Sequence, residues 1–544
     1  MSETFQNITK KHQYLYLLLI ASIGLIVRFY YFPHDIPIAN DCYYSFVYSI
    51  KTIFEGTLPV GYTTTNTGWA NFLSLIFLGL DKSDPEFLMS IQRSCSILFS
   101  VLIILPAFYI FKRFFDPKLA LLPCFLLIIE PRLLLISLEG INYSFYFFLF
   151  VLIIALFLKH TNKSLLLCFS LLGIITLVRY EGLLLLIPLT IFYFLKSKNK
   201  KSIYKYLLMI FLFSLIVVSM ASLRIDATEN ICYTTKISTY CGQDGIVYNF
   251  LTSIDFYHKY IISGEQIPDS LNSSYDIHRE VYNKPGQLMI TESLIESFSR
   301  LFKFVGLSTL PFFVILLPLS FILFLKNKKS LKLNFDTKVI IFTTCFMLLP
   351  SIYAYARGID EGRYVLVLIP LFCILSISFL RNSKIQFFKN QKTLLLIILL
   401  ASSLSIGFIE YEKSDYIYEV ESFKVAKEIL TLTNSMNNYP SSGYVKVAKL
   451  VNEWPELPLP DSNALGKIKN PYGTFKLSTE KFSNLENYIH EAKKLGIEYI
   501  VIAPKDSFFN ELKEYPEKYN YLTKIFDSKD FEFNNEFLIY KISI

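Results

Sequence analysis

The chain has 544 residues, of which 53% are hydrophobic and only 18% are charged. Soluble domains average about 45–50% apolar and about 25% charged residues, so the composition excludes an ordinary soluble protein. The net charge of +8 does not indicate nucleic-acid binding, because the lysines lie in short connectors between apolar segments and no nucleic-acid-binding motif is present.

Apolar segments of about 15–20 residues recur along most of the chain and predict a multi-spanning α-helical membrane protein. The first follows a polar N-terminus without a small-residue cleavage site, so we expect it to be retained as a helix. Trp69–Leu80 is too short to cross and is expected to lie at the membrane interface. The eleven predicted spans are Tyr14–Phe32, Arg93–Phe111, Leu119–Ile136, Ile141–Leu158, Leu165–Val178, Gly182–Leu195, Tyr206–Ser222, Val305–Leu325, Val339–Tyr353, Tyr364–Phe379 and Thr393–Phe408.

The distribution of lysine predicts the orientation of these spans. With a cytoplasmic N-terminus, the lysine-rich connectors all fall on the cytoplasmic side, as the positive-inside rule requires. They are KRFFDPK, KHTNK, KSKNKKSIYK, KNKKSLK and RNSKIQFFKNQK. We therefore predict a membrane domain over residues 1–409, with a first outer loop at 33–92 and a long outer loop at 223–303.

The more polar tail, residues 410–544, is predicted to be a small extracytoplasmic α/β domain. SGYVKVAKLV and IEYIVIAP are typical of strands, and Ser483 and Glu486 resemble a capping box at a helix start. The last residues, from YLTKIFD onward, predict a hairpin. No metal-ligand cluster or nucleophile motif appears in the tail, which favours a lid or an acceptor-side scaffold.

Among the eight cysteines, only Cys232 and Cys241 are close enough in a polar loop to suggest a pair. A disulfide there and two unlinked thiols both stay open. Arg28, near the outer end of the first span, could extend to the lipid headgroups and is assigned no functional role.

Charged side chains occur at several predicted outer corners, and each could have either a functional or a purely structural role. Asp41 is either a proton acceptor or the N-cap of a helix beginning CYYSFVYSIKTIF. Glu139 is either an acceptor-orienting group or a solvated turn residue. Arg179 and Glu181 flank Tyr180 and could be a local ion pair. Arg357 and Arg363, in YARGIDEGRY, are phosphate-binding candidates or plain flanking charges, although the positive-inside rule makes outer arginines unexpected.

The order of these motifs resembles the GT-C superfamily of membrane glycosyltransferases. The closest similarity is to the branch with protein O-mannosyltransferases and lipid A aminoarabinose transferases. It covers roughly Tyr14 to Phe379. The similarity begins with the acidic first outer loop that contains Asp41. It continues, in order, with the segments QRSCSILFSVLIILPAFYIFKRFFDPK, SLEGINYSFYFFLF, LLGIITLVRYEGLLLLIPLTIFYFL and GRYVLVLIPLFCIL. One departure is that the usual Asp-Glu pair of the first loop is Asp41-Cys42 here.

The resemblance implies transfer of a single sugar, with mannose suggested, from a polyprenyl- or dolichyl-phosphate donor to an extracytoplasmic protein or glycolipid acceptor. It implies an inverting step, with Asp41 as general base and Glu139 sharing or supporting that role. The substrate-binding residues would be Arg363, Arg357, Arg179, Glu181 and Tyr44. No cofactor is certain, and the missing second carboxylate leaves a divalent cation open. The Trp-Trp-Asp signature of oligosaccharyltransferases is absent, which argues against transfer of a whole oligosaccharide.

Two other hypotheses stay open from the sequence. A transporter or flippase for a lipid-linked sugar would suit many spans with few internal charges, although inverted repeats are not evident. A non-catalytic subunit whose tail binds a partner is the third. The location would be the cell membrane, or the endoplasmic reticulum membrane in a eukaryote.

Overall fold

The computed structural model describes most of the helical part of the chain. The described residues are 10–34, 38, 41–56, 58, 67–80, 85–197, 201–228, 290–308, 334–356, 362–382, 391–413, 421, 424, 482, 484–494, 499–502 and 507–543. Most of the long loop 223–303, the pair Cys232 and Cys241, and the predicted strand SGYVKVAKLV lie outside them.

Fifteen α-helices follow one another over the described residues up to 413. They are α1 Lys10–Tyr30, α2 Asp41–Glu55, α3 Gly68–Phe77, α4 Pro85–Leu102, α5 Ile104–Phe111, α6 Leu121–Ile128, α7 Pro131–Glu139, α8 Tyr143–Lys159, α9 Asn162–Val178, α10 Leu186–Lys196, α11 Lys201–Thr228, α12 Ile290–Ser308, α13 Phe335–Ala356, α14 Ile369–Asn382 and α15 Gln391–Lys413. Two 3₁₀ helices, Tyr180–Leu185 and Gly362–Leu368, lead directly into α10 and α14.

Four helical segments in the described part are long and apolar enough to cross a membrane: His12–Tyr30, Phe87–Phe111, Lys201–Leu223 and Phe335–Tyr355. The pair α6 and α7 would add a fifth span, bent by 50°. Several shorter apolar helices, α8 and α9 among them, accompany these. The count of eleven spans stays a prediction.

Three predicted spans differ in detail from the structure. Leu119–Ile136 is not one straight helix but the bent pair α6 and α7, because Pro131 cannot continue α6 and instead starts a new helix. Gly182–Leu195 and Tyr364–Phe379 both begin as 3₁₀ turns before becoming α-helical. These tight turns place polar residues at the ends of the spans.

The chain divides into two compact units. The first comprises Met1–Phe32, Thr63–Phe72 and Arg93–Ile409, and it contains most of the apolar helices. Its interior is formed by large apolar side chains, with α8 almost completely buried along its length. Helices α9 and α5 pack against α8, and α11 packs against α9. These contacts fix the positions of both ends of α8.

The second unit comprises Pro33–Tyr62, Leu73–Gln92 and Glu410–Ile544. It includes α2, whose Cys42 carbonyl accepts a hydrogen bond from Gln92 Nε2 at 3.1 Å. Its C-terminal part contains an antiparallel sheet with the strand order β1, β3, β2. The strands are β1 Tyr499–Ile502, β2 Leu522–Asp527 and β3 Leu538–Ile542.

Strands β2 and β3 pair antiparallel at the place where the sequence predicts a hairpin. The helix Leu485–Lys494 packs its apolar face on this sheet. Its start differs from the predicted capping box by one residue, because Asn484 Oδ1 accepts the hydrogen bond from the Asn487 amide at 2.9 Å. An α/β domain over the whole of 410–544 stays a prediction.

The carboxylate of Glu421 holds the loop between β2 and β3. It accepts four hydrogen bonds of 2.7–3.1 Å from the backbone and side-chain amides of Asn534 and Asn535. Burial opposes ionisation, but these four bonds outweigh it and lower the pKa of Glu421. The bonds therefore stabilise the loop above about pH 4.3, the ordinary pKa of a glutamate, and this stabilisation is lost as the pH falls through the lower folded pKa.

Glu421→Gln should loosen this loop, because an amide cannot accept four hydrogen bonds. We expect amide hydrogen exchange at Asn534 and Asn535 to become about 10–100-fold faster at pH 7, as loss of a charged hydrogen-bond acceptor implies. Glu532→Gln, an exposed glutamate in the same loop, is the control. Equal exchange in the two variants would show that Glu421 does not hold the loop.

Candidate active site

The corner between α7 and α8 carries Glu139 and is held by a tryptophan from α3. Gly140 ends α7 with a φ of 81°, a left-handed conformation that favours glycine. The fully buried Trp69 donates a hydrogen bond from Nε1 to the Gly140 carbonyl at 3.3 Å. Trp69 also packs among Phe72, Phe99 and Phe145. The exposed Glu139 is thus the residue directly before Gly140, whose carbonyl is held by this aromatic cluster.

The corner between α9 and α10 carries a buried ion pair. Arg179 Nη2 lies 2.6 Å from Glu181 Oε1, and Arg179 Nε donates to both carboxylate oxygens at 3.2 and 3.3 Å. Both residues are buried, with 8% and 5% of their surface exposed. The two-residue spacing and the 3₁₀ turn Tyr180–Leu185 bring the groups together, so the local ion pair that the sequence left as an alternative is present.

Tyr143 connects this ion pair to a second arginine. The Cζ atom of Arg179 lies 4.3 Å from the centroid of the Tyr143 ring, and that of Arg363 lies 5.6 Å from it. Arg363 also lies 5.7 Å from the ring of Tyr364. We call Tyr143, Arg179, Glu181, Arg363 and Tyr364 the Tyr143 cluster. Cation–π contact with this one ring stabilises both guanidinium groups.

Close backbone contacts fix the elements that carry the cluster. A Cβ atom on Gly68 would lie 2.6 Å from the Leu177 carbonyl carbon and the Val178 nitrogen, directly before Arg179. A Cβ atom on Gly182 would lie 2.9–3.0 Å from atoms of Ile175 and 3.0 Å from the Thr176 nitrogen. The start of α3 and the 3₁₀ turn thus both lie against α9 at distances that only glycine allows.

Gly68→Ala should therefore destabilise the protein by about 1–3 kcal/mol, the usual cost of overpacking against a surface that cannot relax. We expect a lower thermal unfolding midpoint for the purified protein. Gly79→Ala is the matched control, because the nearest atom to its Cβ would be 3.8 Å away. A Gly68→Ala protein as stable as the control would show that α3 can move away from α9.

The structure brings together only some of the predicted site residues. Arg179, Glu181 and Arg363 meet around Tyr143, and Glu139 lies four residues before that tyrosine. Asp41 and Tyr44 are in α2, in the second unit, and their side chains are outside the described residues. Arg357 also lies outside them. In the described part of the chain, no group of three His, Cys, Asp or Glu residues could hold a metal ion.

Two residues that position the site were not singled out from the sequence. Tyr143 lies within the SLEGINYSFYFFLF motif but is one of 37 tyrosines, so its contact with two distant arginines left no local signal. Trp69 was placed on an interfacial helix. Because the chain has only two tryptophans, its rarity was a signal that could have identified it.

An arginine also lies at the other end of α8, where it contacts different groups. Arg113 Nη2 donates to the Leu158 carbonyl at 2.7 Å, and Arg113 forms an ion pair with Asp336 at 2.7 Å. From Tyr143 to Leu158, α8 rises about 23 Å at 1.5 Å per residue. The Tyr143 cluster and the predicted cytoplasmic connector that carries Arg113 thus lie at opposite ends of this helix.

Comparisons with known proteins identify the fold. Residues 87–222 match the family model described as dolichyl-phosphate-mannose-protein mannosyltransferase. The archaeal oligosaccharyltransferase AglB from Archaeoglobus fulgidus, solved with an inhibitory peptide and a dolichol-phosphate, is 14% identical with a TM-score of 0.51. That match covers 95% of this chain and 73% of AglB. A search of curated proteins finds no match to the sequence.

ArnT from Cupriavidus metallidurans, solved with undecaprenyl phosphate, is similar over nearly the whole of both chains. It is 10% identical with a TM-score of 0.54, and the match covers 96% of this chain and 97% of ArnT. Together, these likenesses show a multi-pass membrane protein with the fold of the GT-C superfamily of membrane glycosyltransferases, which confirms the resemblance seen in the sequence.

Proposed function

We propose that this GT-C protein transfers a single sugar from a polyprenyl- or dolichyl-phosphate donor to an extracytoplasmic protein or glycolipid, with mannose as the first sugar to test. The observation that carries the proposal is the Tyr143 cluster, in which the guanidinium groups of Arg179 and Arg363 lie 4.3 and 5.6 Å from the centroid of one tyrosine ring. Such a group of side chains suits an anion such as a lipid-linked phosphate.

Arg363 would contact the donor phosphate directly. As the bond between the anomeric carbon and the phosphate oxygen breaks, negative charge grows on the departing polyprenyl phosphate, and a guanidinium can bind two of its oxygens. Arg179, fixed by Glu181 and by the Tyr143 ring, would add a positive charge that needs no rearrangement during the reaction. Arg357 is proposed as a further phosphate contact from its place in the sequence.

Asp41 would accept the proton of the acceptor hydroxyl. The hydroxyl oxygen attacks the anomeric carbon, its proton passes to the carboxylate, and the sugar–phosphate bond breaks in one step, so the anomeric centre is inverted. Glu139 would orient the acceptor or share the base role, and Tyr44 would contact substrate. The products are a glycosylated acceptor and free polyprenyl phosphate. The step balances without a divalent cation.

The comparisons support the kinds of substrate proposed. AglB was solved with a dolichol-phosphate and a peptide, and ArnT with undecaprenyl phosphate. The family model that matches residues 87–222 is described as a mannosyltransferase that uses dolichyl-phosphate-mannose. That segment includes Glu139, Tyr143, Arg179 and Glu181. A cytoplasmic N-terminus and an extracytoplasmic tail, as the lysine distribution predicts, belong to the same proposal.

A reconstituted reaction tests the proposal. The purified chain in proteoliposomes would be given single-sugar polyprenyl-phosphate donors and then candidate acceptors, and both free polyprenyl phosphate and glycosylated acceptor would be measured. We expect the two products to appear together in equal amounts. A transporter for lipid-linked sugars would move the donor between leaflets and leave its sugar–phosphate bond intact, which would contradict the proposal.

A further inference from the structure

A break in the middle of an apolar segment separates α6 from α7. The two helices meet at an angle of 50°. Pro131 begins α7, and the carboxylate of the fully buried Glu130 accepts a hydrogen bond from the Leu133 amide at 2.8 Å as the N-cap. The break leaves carbonyl groups at the end of α6 without partners in their own helix, which is costly in an apolar interior unless other groups bind them.

One side chain of α1 binds both sides of this break. Arg28 is completely buried, and its Nη1 donates to the Ile128 carbonyl, at the end of α6, at 3.0 Å. Its Nε donates to Ser137 Oγ, on α7, at 3.1 Å. The sequence suggested that Arg28 extends to the lipid headgroups. The structure shows instead that it joins α1, α6 and α7 inside the protein.

Two neighbouring features show that the break is a built part of the fold. Gly24, one turn before Arg28, lies so close to α6 that a Cβ atom there would be 2.5 Å from Ile128 Cγ1. The Gly24 carbonyl accepts a further hydrogen bond from Arg28 Nη1 at 3.1 Å. On the other side, Ser405 Oγ of α15 donates to the Ile129 carbonyl. Both carbonyl groups at the break are thus bound by side chains from other helices.

The direction of α7 decides where the candidate active site lies. Ser137 precedes Glu139 by two residues, and the next residue, Gly140, receives the hydrogen bond from Trp69. The helix also packs against the 3₁₀ helix Gly362–Leu368, which carries Arg363. A change in the bend between α6 and α7 would move the Glu139 corner and the base of the Arg363 turn together.

We propose that Arg28 is a positioning residue of the active site, and that its bond to Ser137 sets the direction of α7. This inference rests on the proposed function for its activity readout. The guanidinium is suited to the role because Nε and Nη1 bind acceptors in different directions from one planar group. A lysine has a single nitrogen at the end of a flexible chain and would not reproduce both bonds.

Ser137→Ala tests the proposal with little change in volume. The matched control is Ser100→Ala, because Ser100 is also buried and donates to the carbonyl of Ile97 in its own helix at 2.7 Å. Ser137 makes the same kind of bond, to Leu134 at 2.6 Å, so the variants differ mainly in the bond from Arg28. Arg28→Lys is the second, stronger variant.

Two measurements, the fluorescence emission of Trp69 and the kcat of sugar transfer, separate the positioning role of Arg28 from the proposed activity. In a Trp454→Phe background, Trp69 is the sole tryptophan and reports on the Gly140 corner through its emission. We expect Ser137→Ala and Arg28→Lys to shift the Trp69 emission to longer wavelength. We expect them to lower kcat about tenfold or more, with a smaller change in the KM for donor, as loss of one charged hydrogen bond implies. Ser100→Ala should leave both unchanged.

Unchanged Trp69 emission and kcat in Ser137→Ala, compared with Ser100→Ala, would overturn the positioning role. Trp69 emission that shifts in Ser137→Ala and Arg28→Lys, in a protein whose parent form transfers no sugar, would support the positioning role and contradict the proposed function instead. The two inferences can therefore fail separately.

Discussion

Arg363→Ala is expected to lower kcat/KM for a polyprenyl-phosphate sugar about 10²–10³-fold, the usual effect of removing one preorganised group that stabilises developing charge. Arg363 lies beside the Tyr143 ring, which Arg179, the ion-pair partner of Glu181, also contacts. In the proposed mechanism, its loss removes one of the two cations near the donor phosphate. Initial rates at several donor concentrations, measured with purified protein, would give this value.

The chain provides a matched control for this substitution. Arg113 lies 5.4 Å from the Tyr109 ring and is paired with Asp336, so its surroundings resemble those of the cluster arginines, but it lies at the other end of α8. Arg113→Ala should keep kcat/KM within about threefold of the parent after correction for folded protein. Equal losses in the two variants would assign Arg363 a role in stability alone.

Asp41→Asn is the second substitution with a large expected effect. If Asp41 accepts the acceptor proton, an amide of the same shape cannot do so, and kcat should fall about 10²–10⁴-fold. The donor KM should change little, because the phosphate would still meet its arginines. Asp35→Asn, in the same predicted loop, is the control and should remain active. An Asp41→Asn enzyme with parental kcat would remove Asp41 from the mechanism.

The sequence predicts the helices of this protein better than their interruptions. Apolar segments of span length locate α1, α8, α9 and α11, because lipid and interior both demand continuous apolar surface. The sequence predicts one span over Leu119–Ile136, although Glu130 and Pro131 lie within it and mark the break. Arg28 was misjudged for a related reason: its partners, the Ile128 carbonyl and Ser137, lie about a hundred residues away, and nothing near Arg28 indicates them.

The sequence analysis selected the charged residues of the candidate site but did not predict that they would meet around Tyr143. Arg179, Glu181 and Arg363 were selected because they lie in the Arg-Tyr-Glu-Gly and Arg-Tyr motifs that resemble the family, and because outer arginines are unexpected. Their convergence on Tyr143 depends on packing between α8, α9 and a 3₁₀ turn far along the chain, which residue spacing does not encode. The roles of Asp41, Tyr44 and Arg357 rest on the sequence resemblance and on the substitutions proposed for them.

Equilibrium binding of polyprenyl phosphate to the purified protein tests the central claim most directly. We predict that the parent chain and Arg113→Ala bind this lipid with the same affinity. We predict that Arg363→Ala binds it about 10–100-fold more weakly, as loss of a charge-assisted contact implies. Equal affinity of Arg363→Ala and the parent chain would contradict the claim that the Tyr143 cluster holds the phosphate of the donor.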